Sequence, residues 1–322
     1  MLTRDLFEAL VAEASLAPSV HNIQPTRWRL TPEGQVIVLE DPARRLPVGD
    51  PEHRDVEVSH GCAVEGFCLA ASERGLGVRV EPGVGGVATL TVSEGGLFDP
   101  LASFARQRRT YRGRFNSGNV ATAACAQVAE ACPDLIVVQA SDRIAELANL
   151  YDEASLRWFR QAAYRRELVS WMRLSRRHPE WSRDGLNAEA MEMSPLEAAG
   201  AGLVLRPGVF EALDRIGAAR GLVAEAPVVR SAAAIALFHR LADEPPFETG
   251  RRFHRVWLTF TRAGLSASPM AVLADDPQAA ATVARQFGLA PGRRLITAFR
   301  LGLAPARALP PKPRLPLDVL IV

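Results

Sequence analysis

Three short segments of this 322-residue chain carry side chains that could hold an anion or a planar polar ligand. The first, residues 17–25, reads Ala-Pro-Ser-Val-His-Asn-Ile-Gln-Pro and is called the proline loop below. Because proline fixes φ and lacks an N–H, the loop is predicted to be stiff. Its candidate binding residues are Pro18, Ser19, Asn22 and Gln24. The alternative is an ordinary capped helix–strand connection.

The second segment is a run of basic residues around a hydroxyl, in which the candidate binding residues are Arg108, Arg109, Thr110 and Arg112. Guanidinium groups form charge-assisted hydrogen bonds to anions, and the hydroxyl adds a further donor. The alternative is a solvated basic turn.

The third segment lies in the proline-rich stretch 310–316, where Lys312 and Arg314 flank a proline and could clamp a phosphate. A polar tail is the alternative. A further segment, residues 264–271, follows a predicted helix and could present backbone N–H groups to an acceptor atom. Its candidates are Pro269, Met270 and Ala271.

Hydrophobic periodicity predicts the elements that must position these segments. Helices are predicted over residues 3–16, 54–74, 142–174, 247–263 and 276–287, and strands over 35–40, 78–81, 87–92, 135–139, 227–238, 295–301 and 317–322. The Pro-Gly-Val-Gly-Gly run at 82–86 predicts a hairpin turn rather than a phosphate loop, because it does not open a helix. Residues 178–208 lack periodicity, and a segment of that length is typical of a lid or a binding segment.

Taken together, the segments resemble motifs of the nitroreductase-like FMN flavoproteins. The proline loop resembles the family's PS-x-x-N-x-QPW pattern, except that Trp28 stands two places late. Residues 108–112 resemble RRS-x-R, with Thr110 in place of serine. Residues 264–270 resemble GL-x-x-x-P-I/M, and residues 312–317 resemble K-x-R-x-x-L.

This resemblance implies a role for each segment around a bound FMN. Arg108, Thr110, Lys312 and Arg314 would hold the phosphate and ribityl oxygens. Arg112 would reach the pyrimidine edge of the ring, and the backbone amides of Met270 and Ala271 would face N5. The implied fold is α+β, with an antiparallel-rich sheet flanked by helices.

An internal similarity between residues 67–77 and 257–266 predicts two fused repeats, at 1–95 and 100–322, with a lid at 178–208 in the enlarged second repeat. The proline loop occurs once, in the first repeat, and the phosphate motifs occur once, in the second. Homodimeric relatives take these parts from two chains. The distribution therefore implies a monomeric pseudo-dimer with one flavin.

Composition narrows the class of protein. The formal net charge is only +2, which argues against nucleic-acid binding, and no apolar run reaches the roughly 20 residues that a membrane span needs. The four cysteines form no CxxC pair, so reduced thiols and a cytoplasmic location are expected. The residues His53, Glu57 and His60 have helical spacing but lack a further strong ligand, so no metal is expected.

Three functions stay open at this level. The first is an FMN-dependent oxidoreductase that passes reducing equivalents between NAD(P)H and a small electrophile such as a nitro compound or quinone. The second is an FMN-sequestering protein in which residues 178–208 close the flavin site, with Trp181, Met191 or Met193 on the ring. The third is a cofactor-free interaction domain, for which the basic motifs would be coincidental.

Overall fold

The computed structural model describes residues 2–83, 86–116, 118–306 and 312–322. Residues 84 and 85 of the predicted hairpin turn, and residues 310 and 311 of the proline-rich stretch, lie outside the described residues. Among the described helices, none is long and apolar enough to cross a membrane.

The first four strands form one antiparallel sheet with the order β1-β2-β4-β3. Its elements are α1 (Arg4–Ala14), β1 (Thr26–Leu30), β2 (Val36–Glu40), α2 (Arg54–Ser72), β3 (Leu76–Pro82) and β4 (Ala88–Glu94). The strand and helix predictions over this part of the chain are confirmed within a few residues. The apolar face of α1 (Phe7, Leu10, Val11, Ala14) is fully buried in the core.

The second antiparallel sheet has the order β5-β8-β10-β9. The elements after residue 100 are α3 (Asn119–Ala131), β5 (Leu135–Val138), α4 (Ser141–Arg160), α5 (Ala162–Trp171), β6 (Met172–Arg173), β7 (Leu186–Asn187), α6 (Pro195–Val204), α7 (Val209–Arg215), α8 (Ala219–Val223), α9 (Ala226–Val229), β8 (Ala234–Leu241), α10 (Pro246–Arg262), β9 (Ser266–Pro269), α11 (Val272–Asp275), α12 (Pro277–Phe287), β10 (Arg293–Gly302) and α13 (Leu317–Leu320). The protein is therefore α+β, as predicted.

Helices α2 and α10 form the central pair, and their backbones approach closely at two glycines. A Cβ added to Gly61 would lie 2.0 Å from the carbonyl oxygen of Phe247, and one added to Gly250 would lie 2.1 Å from that of Val58. The thiol of Cys62 donates to the carbonyl of Gly250 at 3.1 Å. A main core with Trp28, Phe67, Trp257 and Phe299 unites elements of both sheets.

Four predictions of local structure are wrong or incomplete. The helix predicted over 142–174 is broken at Gln161, which is extended (φ −80°, ψ 110°), because Tyr164 packs edge-on against Trp158. The strand predicted over 227–238 begins only at Ala234, since α9 precedes it with a proline in its first turn.

The C-terminal tail is a single helical turn rather than a strand. Only Ile321 forms a bridge, to Trp28, and the N–H of Val322 donates to the Trp28 carbonyl. The 178–208 segment is more ordered than predicted, since α6 starts with a capping box between Ser194 and Glu197. The Ser-x-x-Glu spacing of these two residues is visible in the sequence and is typical of the start of a helix.

The first sheet lies within residues 1–95 and the second within 100–322, the bounds of the predicted repeats. The helices that the sequence comparison aligns are α2 and α10. Gly75 and Gly264, at φ +68° and +74°, follow them at the predicted positions. The duplication itself stays a prediction.

Candidate active site

A cavity of about 1380 Å³ brings the predicted segments together. Its walls come from the proline loop, the N-terminal half of α2, the 108–116 segment, α4 and α5, and the tail at 312–314. Eleven of the thirteen predicted binding residues line it: Pro18, Ser19, Asn22, Arg108, Arg109, Thr110, Arg112, Pro269, Ala271, Lys312 and Arg314. The other two, Gln24 and Met270, do not.

Hydrogen bonds as well as prolines hold the proline loop in its conformation. Three of its non-glycine residues have positive φ: His21 (43°), Asn22 (55°) and Gln24 (51°). The hydroxyl of Ser19 accepts a hydrogen bond from the Gln24 N–H at 3.0 Å. Such conformations are costly and persist where surrounding contacts fix them, often at ligand sites.

Gln24 has a different role from the one predicted. Its amide nitrogen donates to the carbonyl of Arg183 at 2.8 Å, and its amide oxygen accepts from the N–H of Leu315 at 2.9 Å. Its hydrogen-bonding groups are therefore used inside the protein. The residue joins the loop to two other chain segments rather than lining the cavity.

The basic segment, residues 108–112, runs beside the segment 264–271. The N–H of Tyr111 donates to the carbonyl of Ala267 at 3.0 Å, and Thr110 forms a parallel bridge with the same residue. The Arg300 guanidinium donates to the carbonyl of Arg112 at 2.9 Å. These contacts fix where residues 108–112 meet the cavity.

Four cations, called the cation cluster below, gather at one end of the cavity: Arg108, Arg109, Lys312 and Arg314. Arg108 and Arg314 donate to the same carbonyl, that of Leu16, at 2.9 and 3.1 Å. Arg108 also lies over the ring of Trp257, 4.6 Å from its centroid. Within the described ranges no carboxylate forms an ion pair with any of the four, whereas many other arginines do so.

Burial lowers the pKa values of all four side chains, and neighbouring positive charges lower those of Arg108, Lys312 and Arg314 further. Burial, together with the neighbouring arginines, lowers the pKa of Lys312 to about 5. Burial and the Arg314 charge lower the pKa of Arg108 to about 9. The pKa of Arg314 falls to about 10 through burial and Arg109. An anion at this end would offset the repulsion.

The backbone N–H groups of Met270 and Ala271 were predicted to face a ligand, and of these two residues only Ala271 lines the cavity. The N–H of Met270 donates to the carbonyl of Ala298 at 2.7 Å, and its side chain is buried in the second core. Met270 is therefore part of the sheet edge and not of the cavity. Pro269 and Ala271 line the cavity.

Several polar residues of the cavity were missed by sequence reasoning. Next to Arg112, whose guanidinium donates to the Ala190 carbonyl at 3.1 Å, the cavity is lined by Tyr151 and Glu225. His21 also lines it, and burial together with the Arg112 charge lowers the pKa of its imidazole to about 4. A neutral histidine at this position can accept as well as donate.

Two carboxylates, Asp55 at the start of α2 and Asp275 at the end of α11, also line the cavity. Burial, then the charge of Asp50, raises the pKa of Asp55 to about 7. Burial and the charges of Asp55 and Asp50 raise that of Asp275. Nothing in the local sequence separates these two from ordinary exposed carboxylates, since chain segments far apart bring them together.

The raised pKa of Asp55 predicts a pH-dependent effect of Asp55→Asn. The folded chain keeps a proton that the unfolded chain loses near pH 4, so wild-type stability falls as pH rises toward 7. Asparagine has no such dependence. The stability gained by Asp55→Asn over wild type should therefore grow by about 2–3 kcal/mol between pH 5 and pH 8.

Urea unfolding of the FMN-free protein at both pH values measures this change. Glu57→Gln, at an exposed position of the same helix, is the matched control and should show a flat difference. An equally flat difference for Asp55→Asn would contradict the electrostatic account.

The predicted lid forms part of the cavity wall. Met191 and Met193 line the cavity, as do Gly185, Ala201 and Val204, whereas Trp181 is not among the lining residues of the described chain. The ligand contact predicted for the two methionines is therefore geometrically available, and the one predicted for Trp181 is not.

Of the three residues with helical spacing, His53, Glu57 and His60, the last is buried, and its Nδ1 lies 2.9 Å from the hydroxyl of Thr26. Across the described ranges, no three His, Cys, Asp or Glu side chains are grouped so that they could hold a metal ion. The four cysteines are free thiols.

No protein-family model and no curated protein matches this chain. Solved structures do match. The FMN- and NADPH-dependent nitroreductase NfnB from sphigopyxis sp. strain HMH is 18% identical with a TM-score of 0.38, over 70% of this chain and 98% of that chain. NfnB from Mycobacterium smegmatis, in complex with NADPH, is 16% identical with a TM-score of 0.38, over 68% and 96%.

A nitroreductase from Bacteroides fragilis with bound FMN is 11% identical with a TM-score of 0.37, over 67% of this chain and 94% of that chain. These solved structures are nitroreductases, the proteins whose motifs the sequence resembles. Identities and TM-scores of this size carry no argument about function, so the function is argued from the site itself.

Proposed function

We propose that the cavity binds FMN, with the phosphate at the cation cluster. The observation that carries this proposal is the set of four cations without a carboxylate partner in the described part of the chain. A dianionic phosphate fits this feature, because it offers several acceptor oxygens and negative charge.

The remaining candidate residues fit the rest of the cofactor by their chemistry. Thr110 offers a hydroxyl to the ribityl chain. Arg112 and the Ser19 hydroxyl of the proline loop offer donors to the polar edge of the ring, and Ala271 offers a backbone N–H. When bound, FMN would supply hydride chemistry at N5. The chain would bind and orient the ring, and the Arg112 charge would favour negative charge at the pyrimidine edge.

The size of the cavity leaves room for a second molecule. Pockets for single small ligands span ~300–1,000 Å³, and this cavity is larger. We propose an oxidoreductase that passes reducing equivalents between NAD(P)H and a small electrophile such as a nitro compound or quinone.

One chain would suffice for one flavin. The Arg314 guanidinium donates to the amide oxygen of Asn22 at 2.9 Å, so the phosphate-binding tail and the proline loop meet within the same chain. This contact supports a monomeric pseudo-dimer with a single site.

A second candidate function is FMN sequestration, and the 178–208 segment is the observation that favours it. This segment walls the cavity, and Ala190 accepts a hydrogen bond from Arg112, at the expected position of the ring edge. A wall at that place would keep hydride donors from the ring.

Anaerobic addition of NADPH or NADH to the FMN-loaded protein separates the two functions. An oxidoreductase should lose its visible flavin absorbance within seconds to minutes, because the donor reaches the ring. A flavin that both nucleotides leave oxidised, but dithionite reduces, would contradict the NAD(P)H-dependent activity and favour sequestration. Free FMN at the same concentration is the control for direct reduction.

A further inference from the structure

Three chain segments that are far apart in sequence are joined beside the cavity. They are the proline loop, the tail at 313–315, and residues 182–187 of the cavity-lining segment 178–208, which is called the wall below. The amide nitrogen of Asn22 donates to the carbonyls of Gly185 and Pro313, both at 3.3 Å. The N–H of Arg314 donates to the Ser182 carbonyl at 3.2 Å. Gln24 completes the junction through its contacts with Arg183 and Leu315.

A buried aspartate lies at the centre of this junction. One carboxylate oxygen of Asp184 accepts from Arg44 at 2.9 Å, and the other accepts from Arg173 at 2.8 and 3.0 Å. The Asp184 side chain is 3% exposed. Arg44 also donates to the carbonyl of Ile23 in the proline loop, at 2.8 Å. One carboxylate thus ties the wall to the loop through a single arginine.

The residue after Asp184 admits no side chain. Gly185 has φ +68°, and a Cβ added there would lie 2.4 Å from the carbonyl oxygen of Trp171. Its N–H donates to the carbonyl of Asn22 at 3.2 Å. Trp171 in turn lies under both arginines, 5.8 Å from Arg44 and 5.6 Å from Arg173. Gly185 is therefore a position at which the wall is in close contact with the proline loop.

We propose that Asp184 is a positioning residue that anchors the wall to the proline loop, so that FMN leaves the cavity only when this anchor opens. The inference rests on the proposed function. Asn22 and Gly185 line the cavity and bond to each other, so opening the anchor moves two of its walls at once. Removal of the carboxylate would leave two buried guanidinium groups facing each other, which favours the open state.

The test compares Asp184→Asn with Asp134→Asn. Asp134 is a matched control because arginines pair with it as well, Arg240 and Arg252 at 2.7 Å and Arg293 at 3.6 Å, and its side chain is 8% exposed. Unlike Arg44, none of these three arginines bonds to the proline loop in the described part of the chain. FMN release from loaded protein is followed by flavin fluorescence. Amide hydrogen exchange of the FMN-free protein is measured in parallel.

Asp184→Asn should release FMN at least about tenfold faster than wild type, and should exchange faster at residues 19–25 and 182–187. Asp134→Asn should leave the rate of FMN release and the rates of exchange in these residues unchanged within about twofold. Equal release and exchange for Asp184→Asn and wild type would overturn the proposal. Wild type that binds no FMN would instead overturn the proposed function, while the exchange data would still test the anchor.

A milder variant covers the case in which Asp184→Asn does not fold. Gln24→Leu removes the bonds from Gln24 to Arg183 and Leu315 without leaving a buried charge. It should also speed FMN release and the exchange of residues 182–187. Release at the wild-type rate from this variant would count against the anchor.

Discussion

Replacement of both Arg108 and Lys312 by alanine should lower the affinity for FMN by at least about a hundredfold. Each residue is expected to form charge-assisted hydrogen bonds with the phosphate, and each such bond contributes about 1.5–3 kcal/mol. Affinity for riboflavin, which has no phosphate, should change far less. Isothermal titration with both ligands measures the two effects on the same protein.

The folded state should tolerate this double substitution, because the pKa values of both side chains are lowered by burial among like charges. Removal of Arg108 therefore relieves its repulsion with Arg314 in the FMN-free protein, and Lys312, whose pKa is about 5, carries little charge there at neutral pH. Arg143→Ala with Arg160→Ala, which removes two arginines paired with Glu146 and Asp214, is the control and should leave FMN affinity unchanged. An equal loss of FMN and riboflavin affinity in the Arg108/Lys312 variant would mean that the cluster does not bind the phosphate.

Gly61→Ala should destabilise the protein by about 3 kcal/mol or more. The new methyl group would meet the backbone of α10, with the Phe247 oxygen at 2.0 Å and the Arg251 nitrogen at 2.9 Å. Backbone atoms in a packed helix cannot turn aside as a flexible side chain can. The two central helices would have to separate, which opens the core that both sheets share.

Urea unfolding followed by circular dichroism measures this loss. Gly221→Ala in α8 is the matched control, because a Cβ there meets nothing within 4 Å. It should be neutral or stabilising by up to about 1 kcal/mol. Equal unfolding midpoints for Gly61→Ala and wild type would show that the helices are less closely packed than described.

The elements that the sequence predicts well are those specified by local pattern. Helix α2 and strands β3 and β4 follow from apolar periodicity and a glycine-rich turn. The candidate segments also converge, since Asn22 and Arg314 touch although they are 292 positions apart.

The features that the sequence did not predict depend on tertiary packing. The break at Gln161 depends on aromatic contacts of Tyr164 that the helical pattern conceals. Gln24 and Met270 have the predicted residue types, but their polar groups are already bonded inside the protein. Asp55 and Asp275 become neighbours only when α2 and α11 assemble. No pattern within either segment carries that information.

The central claim is that the cation cluster binds the phosphate of one FMN per chain. The most direct test is a titration of the purified, flavin-free protein with FMN and, separately, with riboflavin. The account predicts one FMN per chain, bound at least about a hundredfold more tightly than riboflavin, because only FMN carries the phosphate. Equal affinity for the two flavins, or no binding of either, would contradict it.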